Sequence, residues 1–211
     1  MVEDYFLHGF RLFVPKNVYE PHEDSLLLAN AVEKHARGLV LDMGTGSGLQ
    51  ALVAARKPEV VRVIATDVNE FALQAAETNA RENKLSHKIF FKKSNLFNEL
   101  REAEYAKAFD TIVFNPPYLP TSTREKLRGE INVAFDGGES GREVINAFLK
   151  EFDSFLRPDG VLLMAHSSLA DNKTTISFLE KKGFKVSVTG KQKFFFEELV
   201  ALKAEKKTRK T

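Results

Sequence analysis

Short apolar runs alternate with longer segments rich in alanine and charged residues from residue 39 onward. The runs have the length of buried strands, and the intervening segments have the composition of helices. Because strand–helix–strand units place their strands side by side in parallel, this alternation predicts an α/β fold with helices on both faces of a mostly parallel sheet. The predicted strands are 39–41, 61–66, 88–93, 111–114 and 161–165, and the predicted helices are 48–56, 70–83, 142–155 and 174–182.

The N-terminal part departs from this alternation. Pro21, followed by the acids Glu23 and Asp24, marks the start of a helix over about 22–35, since proline and acidic side chains both favour the first turn of a helix. The segment 5–13 upstream is rich in aromatic residues. Two roles are open for it, either closing the hydrophobic core or forming a flap over a bound cofactor.

The C-terminal part also departs from the alternation. Two β-rich stretches, 184–189 and 193–202, are separated by only a few residues, among them Gly190, which is typical of an antiparallel hairpin. The hairpin adds one antiparallel strand to the predicted sheet. Half of the last residues, 204–211, are basic, and we expect this segment to form a frayed tail.

Composition limits the number of domains and the chemistry. The 211 residues suffice for one domain, which we divide into a cap segment and helix (1–37), a catalytic sheet (38–203) and the basic tail. The absence of cysteine excludes disulfides, thiolate nucleophiles and cysteine metal sites. A net charge of +2 does not commit the chain to nucleic acid. No signal peptide or membrane-spanning run is evident, so a cytoplasmic protein is expected.

A tetrapeptide at the end of the strand 111–114 points to the acceptor of a reaction. Asn115, Pro116, Pro117 and Tyr118 follow the strand directly, and the prolines force the chain out of the sheet because they lack a backbone N–H. The Asn115 side-chain oxygen and the Pro116 carbonyl are then acceptors beside the aromatic face of Tyr118. Such a site suits a planar target bearing nitrogen, either an amide or the amino group of a base.

A glycine-rich loop after the first predicted strand points to a cofactor. Gly44, Gly46 and Gly48 permit positive φ and allow a ligand to touch the backbone, but their spacing differs from that of dinucleotide-binding loops. Asp42 at the head of the loop would repel phosphate and attract an ammonium or sulfonium. Asp67, which ends the second strand, can accept hydrogen bonds from ribose hydroxyls. S-adenosylmethionine has both cations and no phosphate, and this order of residues favours it as the cofactor.

Asn95 and Leu96 follow the third predicted strand and would reach a ligand at the same edge of the sheet. Asn95 could accept a hydrogen bond from an adenine amino group while Leu96 packs on the ring. A role for Asn95 as an ordinary asparagine in a polar turn is equally consistent with the sequence. Asn115 is assigned to the cofactor site as well as to the acceptor site.

Three stretches together resemble one family: 18–25, the glycine loop with the tetrapeptide at 115–118, and 137–143. The chain resembles the HemK-type class I methyltransferases, the release-factor glutamine methyltransferases, and is most similar to their short archaeal and eukaryotic branch. This resemblance implies a Rossmann-like fold with a seven-stranded, mostly parallel sheet and S-adenosylmethionine as cofactor. It also implies N5-methylation of a glutamine side chain in a peptide chain release factor. That reaction requires no metal, and the five histidines show no metal-ligand spacing.

Individual roles follow from the resemblance. It places Ser25, Asp42, Gly44 and Asp67 in the cofactor site and makes Asn115 the substrate-binding residue. Asn95 stands where the family commonly has Asp. The loop at 137–138 would help cover the substrate entrance. The family also uses a small zinc-binding activator similar to Trm112, which would add a strand to the sheet edge at 88–93.

Other functions remain open from the sequence. The tetrapeptide at 115–118 is shared with enzymes that methylate adenine N6 or guanine N2 in DNA or RNA, and a protein lysine is a further acceptor. A catalytically silent subunit that only binds S-adenosylmethionine would be expected to have lost the tetrapeptide, which is intact here. A dehydrogenase is disfavoured by the glycine spacing.

Overall fold

The structure, a computed structural model, describes residues 2–119, 138 and 140–206, with side chains described from residue 4. Strands and helices alternate through most of this range, as the sequence predicts. The strands are β1 Val2–Leu7, β2 Phe10–Pro15, β3 Gly38–Met43, β4 Val60–Asp67, β5 Ile89–Lys93, β6 Phe109–Phe114, β7 Leu156–Ser167, β8 Phe184–Lys193 and β9 Glu198–Lys206. The helices are α1 Glu23–His35, α2 Leu49–Arg56, α3 Glu70–Glu82, α4 Glu143–Phe155 and α5 Asn172–Lys181.

Seven strands form the main sheet in the order β5-β4-β3-β6-β7-β9-β8. The first five of these are parallel, and β9 runs antiparallel to both β7 and β8. The predicted fold class and the edge position of the strand predicted at 88–93 are therefore confirmed. The chain builds outward from β3 through β4 to β5 and then returns to the other side of β3 with β6. Ligands of such sheets bind at this reversal, outside the carboxyl ends of the strands.

Hydrophobic side chains fill both faces of the sheet. One buried cluster joins α1, α2 and α3 to the sheet, and the other joins α4 and α5 to it. The second cluster is rich in phenylalanine. Phe148 of α4 packs on Phe114 at the end of β6, with ring centroids 4.3 Å apart. This contact fixes the end of β6 from which the tetrapeptide at 115–118 departs.

The N-terminal segment forms a hairpin of β1 and β2 that the sequence did not predict. Its turn, at His8 and Gly9, has positive φ at both residues, as tight hairpin turns require. The alternate residues Phe10 and Leu12 of β2 are buried in the core. The hairpin does not contribute to the cavity described below. Of the two roles left open for 5–13, the structure therefore supports closure of the core.

The C-terminal hairpin is longer than its sequence predicts. Its turn lies at 194–197, whereas Gly190 lies within β8 at a shift of the strand register. A Cβ atom at Gly190 would lie 2.8 Å from Leu27 Cδ1, so this glycine permits close packing on α1. Strand β9 continues to Lys206, three residues beyond the boundary expected between sheet and tail. Residues 207–211 lie outside the described residues.

None of the helices in the described ranges is long and apolar enough to cross a membrane.

Candidate active site

A cavity of about 430 Å³ opens at the carboxyl edge of the sheet, where β3 and β6 end side by side. This volume lies within the roughly 300–1,000 Å³ typical of small-molecule sites. The walls are the loops that follow β3, β4, β5 and β6, the start of α1, and the turn between β8 and β9. The two sequence motifs, separated by some seventy positions, thus meet at one site because Met43 and Phe114 pair as the last residues of adjacent strands.

The glycine loop forms one wall of the cavity. Gly44, Gly46 and Gly48 have φ values of 65°, 55° and 87°, a region that other residues adopt only with strain. A Cβ atom built on Gly46 meets no atom within 4 Å, so the backbone here faces open space. A Cβ atom on Gly48 would lie 2.9 Å from the Cβ of Ala76. Gly46 therefore leaves room for a ligand, and Gly48 allows α2 and α3 to pack closely.

Asp67 holds this loop in place at the end of β4. Its carboxylate accepts one hydrogen bond from the backbone N–H of Gly46 and another from that of Asn69, each at 2.9 Å. Burial raises the pKa of Asp67, while the bonds from the backbone oppose that shift. The side chain lines the cavity. It is therefore placed both to shape the glycine loop and to accept hydrogen bonds from a ligand.

A buried carboxylate, Asp24, organises the opposite wall. Tyr19 donates to it at 2.9 Å, Tyr118 at 3.2 Å and the Asn115 side-chain amide at 3.0 Å. The neighbouring Ser25 backbone N–H donates to the same carboxylate at 2.6 Å. Burial and then the charge of Asp24 raise the pKa of both tyrosines far above the usual value. Both hydroxyls therefore remain protonated donors and neither serves as a base.

The network fixes the orientation of Asn115. A carboxylate can only accept, so the side-chain nitrogen Nδ2 must face Asp24, and it also reaches Ser25 Oγ at 3.3 Å. The amide oxygen Oδ1 is left buried, and it has no hydrogen-bond partner among the described residues. A buried acceptor without a donor costs about 1–3 kcal/mol. Asn115 is therefore held with an acceptor available to a donor that enters the cavity.

The part of the chain from 20 to 131 matches a family model described as "Methyltransferase small domain". The match covers the glycine loop, the tetrapeptide at 115–118 and α1. The chain belongs to this methyltransferase family.

Full-length relatives confirm the narrower resemblance to glutamine methyltransferases. This methyltransferase is 38% identical over 198 residues to a putative protein N5-glutamine methyltransferase of Methanocaldococcus jannaschii, covering 94% of this chain and 96% of the relative. It is 30% identical to the eRF1 methyltransferase catalytic subunit mtq2 of Schizosaccharomyces pombe, covering 89% of each. Among solved structures, the E. cuniculi Mtq2-Trm112 complex, described as responsible for methylation of eRF1, matches with a TM-score of 0.68 and 25% identity. It covers 90% of this chain and 99% of the other.

Nearly all residues that the sequence assigned to the site of the methyltransferase line the one cavity. They are Ser25, Gly44, Gly46, Asp67, Asn95, Leu96, Asn115, Pro116 and Tyr118. Asn95 is exposed at the rim, where its backbone N–H donates to Glu99 at 3.2 Å. Leu96 has a φ of 50° and is partly buried against the phenylalanine-rich cluster. Their contacts with a cofactor stay predictions.

Two residues that the sequence reasoning did not assign to the site are part of it. The sequence around Asp24 indicates only an acid at a helix start, although Asp24 adjoins Ser25 in a stretch that carries the family resemblance. Gln50 of α2 donates to the Ser25 carbonyl at 2.8 Å, and its buried Oε1 has no partner in the described structure. The glycine loop directly before Gln50 is the signal that could have found it, since the first turn after such a loop faces the ligand.

The predicted entrance loop is only partly described. Gly137 lies outside the described residues, whereas Gly138 has a φ of 82° near the start of α4. Arg142 donates to the Asp171 carbonyl at 2.8 Å and to Thr175 Oγ1 at 3.0 Å, so it joins the start of α4 to α5. This position supports a bracing role for Arg142 and leaves the covering of the entrance as a prediction.

Asp42 is the predicted site residue that lies behind the cavity wall. It is only 1% exposed, and Thr45 Oγ1 donates to its carboxylate at 2.6 Å. It is absent from the cavity lining, so in this arrangement it shapes the glycine loop from behind. Burial raises its pKa to about 7, although the bond from Thr45 opposes the shift.

The pH dependence of stability should reveal this carboxyl. Between its ordinary pKa of 3.8 and the raised pKa of about 7, the folded chain keeps a proton that the unfolded chain has released. Its contribution to stability is therefore greatest at low pH and is lost as the pH rises through 7. An Asp42→Asn variant retains an acceptor for Thr45 but cannot ionise. Its melting temperature relative to the wild type, measured without added cofactor, should increase from pH 5 to pH 8; a constant difference would contradict this assignment.

Proposed function

We propose that this methyltransferase transfers a methyl group from S-adenosylmethionine to the side-chain N5 of a glutamine in a peptide chain release factor. The observation that carries the proposal is the orientation of Asn115, which leaves a buried acceptor open to an amide N–H. The relatives described above support the glutamine and the release factor, since one is named for N5-glutamine and the other for eRF1, a translation termination factor. A release factor acts in translation, so the expected site of action is the cytoplasm.

The cavity fits the cofactor. Gly44 lines the cavity and the open backbone at Gly46 would accommodate the cofactor, while Asp67 with Asn95 and Leu96 would hold its nucleoside. The acidic lining residues are Glu23, Asp24, Asp67 and Glu197, and no lysine or arginine lines the described part of the cavity. Such a charge pattern favours a cationic ligand. When bound, S-adenosylmethionine supplies an electrophilic methyl group on a positively charged sulfonium.

The residues around the tetrapeptide would align the acceptor. A carboxamide nitrogen is a poor nucleophile because its lone pair is delocalised, so its position and its shielding from water matter most. Asn115 Oδ1 would accept one N–H of the glutamine amide and the Pro116 carbonyl the other. Tyr118, fixed through its hydroxyl on Asp24, would supply a ring face for the amide plane. The extra proton of the methylated amide is acidic and would leave to water, so no strong base is required.

The acidic lining also separates the competing acceptors. It disfavours DNA and RNA, whose phosphates would be repelled from the entrance. It does not disfavour lysine, whose ammonium it would attract. The test is transfer of labelled methyl from S-adenosylmethionine to a purified release factor, to RNA and DNA oligonucleotides, and to lysine-rich peptides at equal concentration. We expect the release factor to be labelled at least tenfold faster than the others; faster labelling of an oligonucleotide or a lysine peptide would overturn the glutamine assignment.

An activator subunit is part of the proposal. Strand β5 is an edge of the sheet, and Phe90, its second residue, is 48% exposed. An exposed edge strand can pair with a strand of another protein. The solved structure of similar fold described above is a complex with Trm112. We therefore propose that a small zinc-binding protein similar to Trm112 binds along β5.

A substitution on β5 tests this interface. We expect Phe90→Asp to reduce co-purification of a Trm112-like protein at least tenfold, because a charge would then replace an apolar ring beside the side chains of the added strand. Phe6→Asp is the matched control, since Phe6 is 81% exposed on β1, which belongs to a separate two-stranded sheet. Equal loss in both variants, or full solubility and activity of the chain alone, would count against the activator.

A further inference from the structure

Two adjacent phenylalanines project from the turn between β8 and β9. Phe195 is 92% exposed and Phe196 is 84% exposed, the highest values among large hydrophobic side chains in the described part of the chain. Their rings contact each other edge to face, with centroids 4.6 Å apart. Paired apolar side chains left in water on a folded surface mark an interaction site more often than isolated ones do.

The turn that carries them is well anchored. The Phe194 backbone N–H donates to the Glu197 carbonyl at 2.7 Å and closes the turn. Ser167 Oγ donates to the Glu197 carboxylate at 2.5 Å, which ties the turn to the end of β7. The Glu198 backbone N–H donates to Ser168 Oγ at 2.9 Å. The phenylalanine pair is therefore presented from a fixed position at the carboxyl edge of the sheet.

The pair adjoins the active-site cavity. Phe194 and Glu197, the first and last residues of the turn, both line the cavity, so Phe195 and Phe196 stand at its rim. A glutamine side chain is short, so the protein backbone that carries it stays at the mouth of the cavity, of which this turn forms part, while its amide reaches Asn115. The neighbours of that glutamine would then lie against the turn.

The charges near the turn favour protein over nucleic acid. The Lys191 ammonium lies 2.8 Å from Glu198 Oε2, and the Lys193 ammonium lies 4.0 Å from the same atom. Both lysines are therefore paired within the hairpin, and the adjoining cavity is acidic. Aromatic side chains that stack on bases normally act together with unpaired cations along the phosphate backbone.

We propose that Phe195 and Phe196 form the docking surface for the segment of the protein substrate that flanks the acceptor glutamine, binding its backbone and apolar side chains. The inference rests on the proposed function, since it presumes an acceptor carried by a protein. It adds a specificity determinant outside the cavity, so that substrate choice depends on the sequence beside the glutamine as well as on the glutamine itself.

The double variant Phe195→Ala, Phe196→Ala tests the docking surface. Both side chains are exposed, so their loss should leave the fold intact, and Phe6→Ala removes an equally exposed phenylalanine elsewhere. The substrate is the release factor, and the activator is present if it co-purifies. We expect KM to rise about tenfold with kcat at saturation nearly unchanged, because the variant loses only binding that is common to the ground state and the transition state. The Phe6→Ala control should show neither change.

The possible failures are distinguishable. An unchanged KM in the double variant, with normal transfer by the wild type, would overturn the docking surface alone. A fall in kcat without a rise in KM would show that the two phenylalanines maintain the structure of the active site, and this result would also overturn the docking surface. Loss of affinity for labelled RNA with unchanged KM for the release factor would show that the pair binds nucleic acid. Absence of transfer to the release factor by the wild type would overturn both the proposed function and this inference.

Discussion

Asn115→Ala should lower kcat for glutamine methylation by at least about 100-fold. The variant removes Oδ1, the buried acceptor that we expect to hold the substrate amide in line with the methyl group, and loss of one such positioned hydrogen-bonding group typically costs 10²–10³ in rate. Asn115 also belongs to the predicted cofactor site, but the glycine loop and Asp67 are untouched. The dissociation constant for S-adenosylmethionine, measured by calorimetry, should therefore change less than about threefold.

Asn95→Ala is the complementary control for this experiment. Asn95 lies at the rim on the cofactor side and makes no contact with the Asp24 network among the described hydrogen bonds. We expect it to weaken cofactor binding with a smaller effect on kcat at saturating cofactor. A collapse of cofactor affinity in Asn115→Ala would contradict the separation of acceptor and cofactor roles.

Asp24→Asn should have the second-largest effect, a loss of about 100-fold in kcat with the fold retained. The buried carboxylate accepts bonds from Asn115, Tyr118 and Tyr19 and thereby fixes which atom of Asn115 is left for the substrate. An asparagine at this position can itself donate, so the Asn115 amide can turn and present Nδ2, a donor that repels the N–H of the glutamine amide. Asp24 is thus a positioning residue. Circular dichroism of the Asp24→Asn variant should show an intact fold, and calorimetry should show that the variant still binds the cofactor.

Glu23→Gln is the matched control for Asp24. Glu23 is exposed, lines the same cavity and carries the same charge, but the described hydrogen-bond network does not include it. Its neutralisation should change kcat less than about threefold. Equal losses of kcat in the two variants would indicate that kcat depends on the negative charge of the cavity and not on the orientation of Asn115.

The sheet and the meeting of the two motifs could be predicted because their causes are local. Apolar runs of strand length, each followed by a helical segment, define parallel strands, and polar residues directly after those strands must gather at one edge. The glycine loop and the tetrapeptide at 115–118 can each be recognised from a few consecutive residues. The edge position of β5 then follows from the usual strand order of the resembled fold.

The role of Asp24 could not be predicted because it depends on contacts across the fold. It meets Asn115 at a distance of 91 positions in the chain, and its neighbours alone indicate only an acid at the start of α1. Asp42 shows the opposite case. Its place at the head of the glycine loop suggests contact with the cofactor, whereas the turn directs its carboxylate inward onto Thr45.

The two hairpins show how local signals compete with packing. Gly190 is a typical turn residue, yet it lies inside β8, where it contacts α1. The turn lies instead at the phenylalanine-rich segment 194–197, whose composition favours a strand. At the N-terminus, His8 has a positive φ, which is uncommon for residues other than glycine. Gly9 beside it is a turn residue within segment 5–13, and it is the signal that could have predicted this hairpin.

Tandem mass spectrometry of a release factor after incubation with the methyltransferase and S-adenosylmethionine tests the central claim most directly. The proposed function predicts one added methyl group, carried as N5-methylglutamine on a single glutamine, and its complete loss when that glutamine is changed to alanine. A methyl group found on a lysine, or labelling of the release factor that persists in the glutamine-to-alanine variant, would contradict it.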